Sequence, residues 1–466
     1  MRPITGTHVY SYVKCPRLAA LDLHLPRSER RPATEWEEFA AQRGRDFEAQ
    51  FVKSLPVVAP QYPERDFEAG AAATLALLRA GTPWIHQGVL RTEDRLGLPD
   101  LLRVLPGSSA LGEHHYEVLD VKTSARSRGE QILQVVFYAQ LLAELQGRLP
   151  EHGALILKDG REERFLIADY RAAADEVVAA LRALREDMNG ARPFLQFACH
   201  GCYHDQRCLP ELTARGDLSL VQGMSHGARA ILEAAGCRTV QDLAVFHPDN
   251  PRARGNLDPT LVRRLRRGAQ AALLGKPIIE ERPRAERFAN SAIVHLLSDP
   301  YADRVLAFGL LNPGTAAGAF TCALPASVEE ERPVLRRLLA AVGRGTALLH
   351  FGEALPRWCD QHAADGDGEE PFEARFVDLQ KRLRAAAVYP RAVFGLGDYV
   401  RFGLGGDPLR AGHPGAAAMW AATPDREERL RQKLHADLLD LAALKAEILD
   451  AAPTPVATEA AHQTAG

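Results

Sequence analysis

The sequence predicts a mixed α/β protein with more than one domain. Its 466 residues exceed the roughly 100–200 residues of a usual domain. Within the first 215 residues the apolar pattern changes from helical spacing to short strands and back, which indicates helices layered on a sheet. A second strand-rich region begins near residue 290, after a stretch that reads as helical throughout.

The first region supplies most of the predicted elements. Apolar spacing predicts helices over 8–23, 35–54, 67–80, 129–147 and 169–188. Alternating or β-branched segments between turn residues predict strands in WIHQGVLR (84–91), LPDLLRVL (98–105), HYEVLDVK (115–122) and GALILK (153–158). This order of helices and strands predicts one layered α/β domain.

The remaining sequence divides into three further parts. Glycine turns between short apolar stretches predict a helical module, strands return over 290–325, and a last helix is expected near 424–450. QHAADGDGEE at 361–370 is predicted to be a flexible loop. The predicted domains are 1–215, the helical module 216–285, an α/β domain 286–452 and a disordered tail 453–466.

Composition limits the classes of function. A net charge of −3 gives no global case for nucleic-acid binding, so any basic surface must be local, as in the Arg-rich stretch 252–287. The amino terminus lacks the apolar core of a signal peptide, and no apolar run approaches the ~18 residues that span a bilayer. We therefore expect a cytoplasmic protein without membrane contact, whose seven cysteines are reduced.

Two acids and a lysine lie on neighbouring predicted strands. Asp100 follows a Gly-Leu-Pro turn, and Asp120 and Lys122 stand two residues apart on the next strand. Alternate residues of a strand share a face, so Asp120 and Lys122 project together whereas Glu117 points to the other side. Converging carboxylates suit Mg²⁺ or Mn²⁺, and a nearby ammonium can stabilise charge on a phosphate.

Three other side chains are candidates for the same site. Glu48 lies on the predicted helix 35–54 and can supply a third acidic group. Gln134 and Tyr138 stand four residues apart on the helix 129–147, so they share a face. Both can donate hydrogen bonds to a phosphate or to backbone.

The segments GLPD, LDVK and QVVFY, preceded by a Glu-bearing helix, resemble the RecB-like branch of the PD-(D/E)XK nucleases. The resemblance implies a restriction-endonuclease-like core and metal-dependent hydrolysis of phosphodiester bonds, with DNA as the expected partner. Asp100, Asp120 and Lys122 match its acid and lysine motifs, and Gln134 and Tyr138 match its Q-x-x-x-Y motif. Where many relatives carry a histidine metal ligand, this chain has Glu48.

A cysteine triplet closes the first predicted domain. CHGCYHDQRC contains Cys199, Cys202 and Cys208, and Cys15 in KCPR is a fourth candidate. Four thiolates can hold an iron–sulfur cluster or zinc. In several RecB-like nucleases one cysteine before the core and three after it bind a 4Fe–4S cluster, which the resemblance implies here.

Alternatives remain for the cysteines. A local zinc site would use His204 with the triplet and leave Cys15 as a small buried residue. A second alternative is that these cysteines bind no metal. Cys237, Cys322 and Cys359 have no partners in sequence and are expected to be core residues.

The rest of the chain also carries resemblances. DLSLVQGMSHGARAILEAAGCRTVQDLA, at 217–244, resembles a helix-hairpin-helix element, which binds phosphates through backbone amides; the alternative is an ordinary helical linker domain. The whole chain resembles RecB-like proteins with a C-terminal RNase H-like domain. In this chain His295 and Leu297 occupy the positions at which those relatives carry two metal-binding acids. The resemblance therefore implies a degenerate domain in which His295 is a packed strand residue.

The sequence therefore predicts a metal-dependent nuclease that acts on DNA. The alternative is a non-catalytic nucleic-acid-binding or assembly protein that keeps the nuclease fold. The retained acid pair and lysine favour the enzyme.

Overall fold

The computed structural model describes residues 2–253, 256–280, 288, 290–312, 319–343, 345–362, 375–405, 416–420 and 423–449. The predicted tail 453–466 and most of the predicted loop 361–370 lie outside these residues. The chain forms two compact units, Met1–Pro193 with Ala198–Cys208 and Phe194–Phe197 with Leu209–Gly466. The mixed α/β class is confirmed, while the finer division into 1–215, 216–285 and 286–452 stays a prediction.

The first unit is built on a six-stranded sheet with the strand order β2-β3-β6-β7-β8-β9. Its strands are β2 (Val57–Val58), β3 (Trp84–His86), β6 (Leu101–Ser109), β7 (Gly112–Val121), β8 (His152–Ile156) and β9 (Glu162–Leu166). A smaller sheet contains β1 (Ile4–Thr5), β4 (Leu90–Arg91) and β5 (Arg95–Gly97). The central strands β6 and β7 are antiparallel, and β7 and β8 are parallel.

Helices cover both faces of the larger sheet. They are α1 (Gly6–Lys14), α2 (Pro16–His24), α3 (Glu35–Val52), α4 (Phe67–Arg79), α5 (Gly129–Gln146) and α6 (Ile167–Glu186). On one face Val118 of β7 joins a core with Val135 and Phe137 of α5. On the other, Leu119 and its neighbours pack against aromatic side chains of α3. Because strand residues alternate between faces, the fully buried run at the end of β7 serves both cores.

The chain departs from the predicted helix 8–23 at Cys15. Cys15 has an extended backbone, with φ −165° and ψ 111°, and separates α1 from α2. Pro16 is the first residue of α2; proline lacks an amide hydrogen and disfavours a helical residue before it. The prediction that Cys15 lies within a helix is therefore wrong, and its thiol sits at a helix junction.

The predicted strand 84–91 is likewise two strands, β3 and β4, in different sheets. Between them Gln87 adopts a left-handed backbone with φ 51°. Left-handed residues other than glycine are uncommon and turn the chain sharply. The strand β9, which the sequence pattern did not predict, pairs antiparallel with β8.

The second unit contains a five-stranded sheet with the order β13-β12-β11-β14-β15, from β11 (Ser291–Asp299), β12 (Arg304–Asn312), β13 (Ala319–Ala323), β14 (Ala347–His350) and β15 (Phe376–Asp378). The described helices that follow α7 (Asp205–Arg215) are α8 (His226–Ala234), α9 (Val240–Val245), α10 (Pro259–Leu274), α11 (Val328–Ala340), α12 (Ala354–Gln361), α13 (Leu379–Ala386), α14 (Leu396–Leu404) and α15 (Arg426–Leu444). The buried leucines of α15 pack against this sheet.

The predicted helical module is helical through α10 and then changes. β10 (Ile278–Ile279) pairs antiparallel with β16 (Ala387–Val388), so the all-helical stretch ends before residue 285. Within the described part of the chain, no helix combines the length and the apolarity needed to cross a bilayer.

Candidate active site

The two predicted acids meet at one end of the central strands of the first unit. Leu101 of β6 is paired with Leu119 of β7, so Asp100, one residue before β6, lies next to Asp120. The Asp100 amide donates to Asp120 Oδ1 over 3.1 Å, and the Val121 amide donates to Asp100 Oδ2 over 2.7 Å. These reciprocal bonds fix both carboxylates against the sheet.

Lys122 completes the expected constellation. Its Nζ lies 2.9 Å from Asp120 Oδ2 and 4.0 Å from Asp100 Oδ2. The Lys122 amide donates to Ile156 O over 2.8 Å, which continues the β7–β8 ladder one residue beyond β7. The predicted face therefore carries both the acid and the lysine, as alternation along a strand requires.

Burial and neighbouring charge perturb this cluster. The pKa of Asp100 is raised well above its ordinary value by burial, then by the charge of Asp120 and, more weakly, by that of Glu48, while Lys122 opposes the shift. Although burial acts in the opposite direction, the two aspartates raise the pKa of Lys122. One ammonium therefore faces three acids, an excess of negative charge that a divalent cation would neutralise.

Tyr138 of α5 lies within reach of the charges of the two aspartates, and Gln134 of the same helix contacts its hydroxyl. Gln134 Nε2 donates to the Tyr138 hydroxyl over 3.1 Å. Burial, followed by the charges of Asp120 and Asp100, raises the pKa of Tyr138 well above its ordinary value, so the phenol stays protonated. Sequence spacing placed both side chains on one helical face, and their contact agrees with that placement.

Two glycines make room for the Tyr138 ring. A Cβ on Gly6, at the start of α1, would overlap the ring and hydroxyl of Tyr138, and a Cβ on Gly97 would lie 2.8 Å from Tyr138 Cδ1. Atoms that close cannot coexist without movement. The tyrosine thus fits only because both positions lack side chains.

Glu48 reaches the edge of the cluster from α3. Its Oε1 accepts from His86 Nε2 over 3.1 Å and from Gln87 Nε2 over 3.0 Å. The backbone N–H of Gln87 in turn donates to the backbone carbonyl of Asp100 over 2.9 Å. His86 and Gln87 were not predicted as site residues; the available signal was their polar character at the end of a strand next to the acid-bearing ones.

Glu117 faces away from the cluster, as alternation predicts. It is 1% exposed and accepts from Arg103 Nε over 2.6 Å and from Arg164 Nη2 over 2.8 Å. Arg103 also forms a bidentate ion pair with Glu162. This network belongs to the opposite face of the sheet.

The four cysteines predicted to act together lie near one another in the first unit. Burial, and then the neighbouring thiols of Cys199 and Cys15, raise the pKa of Cys202 to about 11. Burial likewise raises the pKa of Cys208 to about 12; Arg17 opposes the rise, and the three other thiols add to it. Cys202 and Cys208 are therefore close to the other two cysteines, although 184 residues separate Cys15 from Cys199 in sequence.

A buried carboxylate holds the cysteine segment to α2. Asp22 accepts from Tyr203 over 2.6 Å, from Arg30 over 2.7 Å and from His204 Nε2, 3.2 Å away. Despite its burial, the bonds from His204 and Tyr203 lower the pKa of Asp22. His204 Nδ1 is buried without a hydrogen-bond partner.

The donor sets can be compared with the cofactors expected from the sequence. The acid cluster offers carboxylate oxygens, which suit Mg²⁺ or Mn²⁺, and the cysteine quartet offers thiolates, which suit iron–sulfur or zinc. In the part of the chain that the structure describes, no three His, Cys, Asp or Glu side chains are arranged to hold one metal ion. The chemistry of both donor sets fits, while neither has the closed arrangement of a single-ion site.

The other cysteines have separate environments. Cys237 and Cys359 are buried in the apolar cores of the second unit, and Cys322 is half-buried.

The acids of the second unit are engaged in local contacts. Asp437 of α15 is buried, pairs with Lys433 and lies 3.5 Å from His295 Nε2 on β11. Asp299 accepts from two amides of the following turn, and Asp378 caps α13. His295 is thus a strand residue with an acidic neighbour.

The arginines of α10, predicted as a basic surface, also contact the protein. Arg264 donates to the Arg384 carbonyl over 2.5 Å, and Arg266 donates to the Ala244 carbonyl over 3.2 Å. Arg267 lies 3.6 Å from Glu280. These three arginines therefore make contacts within the second unit.

Comparison with known proteins gives no assignment. No protein-family model matches the chain, and no curated protein is significantly similar to it.

Proposed function

We propose that the protein is a metal-dependent nuclease that hydrolyses phosphodiester bonds, with DNA as its substrate. The observation that carries the proposal is the arrangement of Asp100, Asp120 and Lys122 on adjacent strand ends. Two carboxylates with mutual backbone hydrogen bonds and one shared ammonium form a costly arrangement, and such cost is typical of functional sites.

Each residue of the cluster has a separate role in this proposal. Asp100 and Asp120, with Glu48, are the residues that would hold Mg²⁺ or Mn²⁺, which when bound would supply an activated water and charge stabilisation. Lys122 remains protonated beside the two aspartates, so it serves as a cation that stabilises negative charge on the phosphate and not as a base.

Gln134 and Tyr138 act as hydrogen-bond donors. The raised pKa of Tyr138 keeps its hydroxyl protonated at neutral pH, and the Gln134 amide orients that hydroxyl. Together they position a phosphate beside the carboxylates without taking part in proton transfer.

The same proposal includes a PD-(D/E)XK-type core, a helix-hairpin-helix-like contact with the nucleic acid backbone and a degenerate RNase H-like domain. The surroundings of Asp437 support the last point, because a lysine and His295 lie beside it where a metal site would need further carboxylates.

A 4Fe–4S cluster on Cys15, Cys199, Cys202 and Cys208 is the second part of the proposal. The proximity of Cys15 to the triplet supports this four-thiol set. The alternative is a zinc site that uses His204, which its unpartnered Nδ1 atom supports.

The decisive experiment is cleavage of labelled single- and double-stranded DNA and RNA by the full chain, with and without Mn²⁺. Asp120→Ala and Lys122→Ala should each reduce metal-dependent cleavage by at least ~10²-fold while the protein stays folded. Glu113→Ala, an exposed acid on the same strand β7, is the matched control and should cleave normally. Nucleic-acid binding without cleavage by the wild type would instead favour the non-catalytic alternative.

A further inference from the structure

We propose that His86 and Gln87 are positioning residues that hold Glu48 as a ligand for the catalytic cation, an inference that rests on the proposed nuclease function. α3, which carries Glu48, and the strand end that carries Asp100 are separate elements, and side-chain hydrogen bonds from His86 and Gln87 join them.

Both hydrogen bonds to Glu48 end on the same oxygen. His86 Nε2 and Gln87 Nε2 lie 3.1 and 3.0 Å from Oε1. A carboxylate can only accept, so the glutamine must present its NH₂ group and the histidine must carry its proton on Nε2. Among the described residues Oε2 accepts no hydrogen bond, which leaves that oxygen as the donor toward a cation.

The two donors are attached to the acid-bearing strand itself. His86 is paired with Leu101 in the β3–β6 ladder, and the backbone N–H of Gln87 donates to the backbone carbonyl of Asp100. A displacement of Asp100 therefore moves the groups that hold Glu48. The positions of the Glu48 and Asp100 carboxylates are therefore linked through the sheet, although their like charges repel.

The backbone of Gln87 supports a functional reason for this arrangement. Its φ of 51° lies in the left-handed region, which residues other than glycine rarely adopt because the backbone is strained there. Such strain persists where the surrounding structure enforces it, commonly at functional sites. The left-handed turn is what lets one residue bind Asp100 with its backbone and Glu48 with its side chain.

The charge pattern agrees with a ligand role for Glu48. Glu48 is half-buried, with 22% of its side chain exposed, and its two donors include no permanently charged side chain. These donors orient the carboxylate without placing a permanent positive charge beside it.

The test measures Mn²⁺ binding to the full chain without nucleic acid, by the electron paramagnetic resonance signal of free Mn²⁺, and then the Mn²⁺ dependence of DNA cleavage. His86→Ala should weaken Mn²⁺ binding about 10-fold or more, the usual cost of losing a group that orients a ligand. Cleavage should recover to within a few-fold of the wild type at saturating Mn²⁺. His86→Gln, whose amide can donate, should restore most of the affinity.

Gln87→Asn separates reach from backbone strain. Asparagine tolerates the left-handed region, but its amide is one methylene shorter, so this variant should fold normally and still lose Mn²⁺ affinity. In a Glu48→Gln background, His86→Ala should have no further effect on affinity, because both changes remove the same ligand. Gln42→Ala, which removes an amide–carboxylate bond to Asp46 elsewhere on α3, is the control and should bind Mn²⁺ normally.

The outcomes separate the two proposals. If the wild type binds no Mn²⁺, or if Asp120→Ala leaves its Mn²⁺ binding unchanged, the nuclease proposal is overturned and this inference with it. Normal Mn²⁺ affinity in His86→Ala and Gln87→Asn, with an active wild type, overturns the inference alone. A further loss of affinity from His86→Ala in the Glu48→Gln background would do the same.

Discussion

Glu117→Ala should destabilise the first unit strongly while leaving the acid cluster intact. The substitution removes the carboxylate that Arg103 and Arg164 share, on the sheet face opposite Asp120. Removing one partner of a buried ion pair usually costs about 3–5 kcal/mol, because the remaining charge stays buried. The effect therefore reports on stability separately from chemistry.

The structure places the expected cost at the low end of that range. Arg164 has 40% of its side chain exposed and can be hydrated, and Arg103 retains Glu162. A loss of ~3 kcal/mol in the free energy of unfolding follows. A domain of 150–250 residues loses about 2–4 °C in Tm per kcal/mol, so the transition of this unit should fall by roughly 6–12 °C.

Differential scanning calorimetry of the full chain, followed by the Mn²⁺ titration at 10 °C, is the appropriate assay. The lower Tm should come with normal Mn²⁺ affinity, and Glu113→Ala, the control on the same strand, should change stability by no more than about 0.5 kcal/mol. An unchanged Tm in Glu117→Ala, or weakened Mn²⁺ binding at a temperature where the variant is folded, would refute the assignment of the two faces.

Three further perturbations test the remaining sites. Asp100→Asn should raise Tm at pH 7. The pKa of Asp100 is raised in the folded state, so stability is lost as the pH rises from the ordinary carboxyl pKa toward the raised one, and it returns when the pH falls below the ordinary value. Calorimetry across the acidic range should show a flatter dependence of Tm on pH in the variant, and a lower Tm at pH 7 would contradict the sign. Cys15→Ser should abolish the brown colour and the iron and sulfide of anaerobically purified protein; retention of one zinc ion per chain in that variant, and its loss in His204→Ala, would favour the zinc alternative. Asp437→Asn should leave Mn²⁺-dependent cleavage unchanged but lower stability, since it leaves Lys433 without its buried partner; loss of cleavage would reveal a second active site.

The sequence was most informative where the chemistry follows local periodicity. The two-residue spacing of Asp120 and Lys122 and the four-residue spacing of Gln134 and Tyr138 each predict a shared face, and each pair is in contact in the structure. Strand alternation also separated Glu117 from them. These relations depend on backbone geometry within one element, so a linear pattern is sufficient to predict them.

Relations between elements were harder to predict. The bonds from His86 and Gln87 to Glu48 cross 38 and 39 residues, and they depend on a left-handed turn that no periodic pattern indicates. The helix predicted across Cys15 failed because apolar spacing continues through Pro16, whereas the proline interrupts the backbone. The proximity of the four cysteines was expected only from the resemblance, because spacing alone cannot join thiols at opposite ends of a domain.

The glycines against Tyr138 have a consequence for how the chain can vary. Gly6 lies near the amino terminus, where most proteins tolerate substitution. Its helical backbone would accept any ordinary residue, yet the Cβ of an alanine there would collide with the phenol of Tyr138 on α5. A saturation-mutagenesis scan should therefore find position 6 intolerant of every side chain, and replacing Tyr138 by a smaller residue should relax that intolerance. Among natural variants the two positions should change together, so their covariation would mark the site even where the acid motif is hard to align.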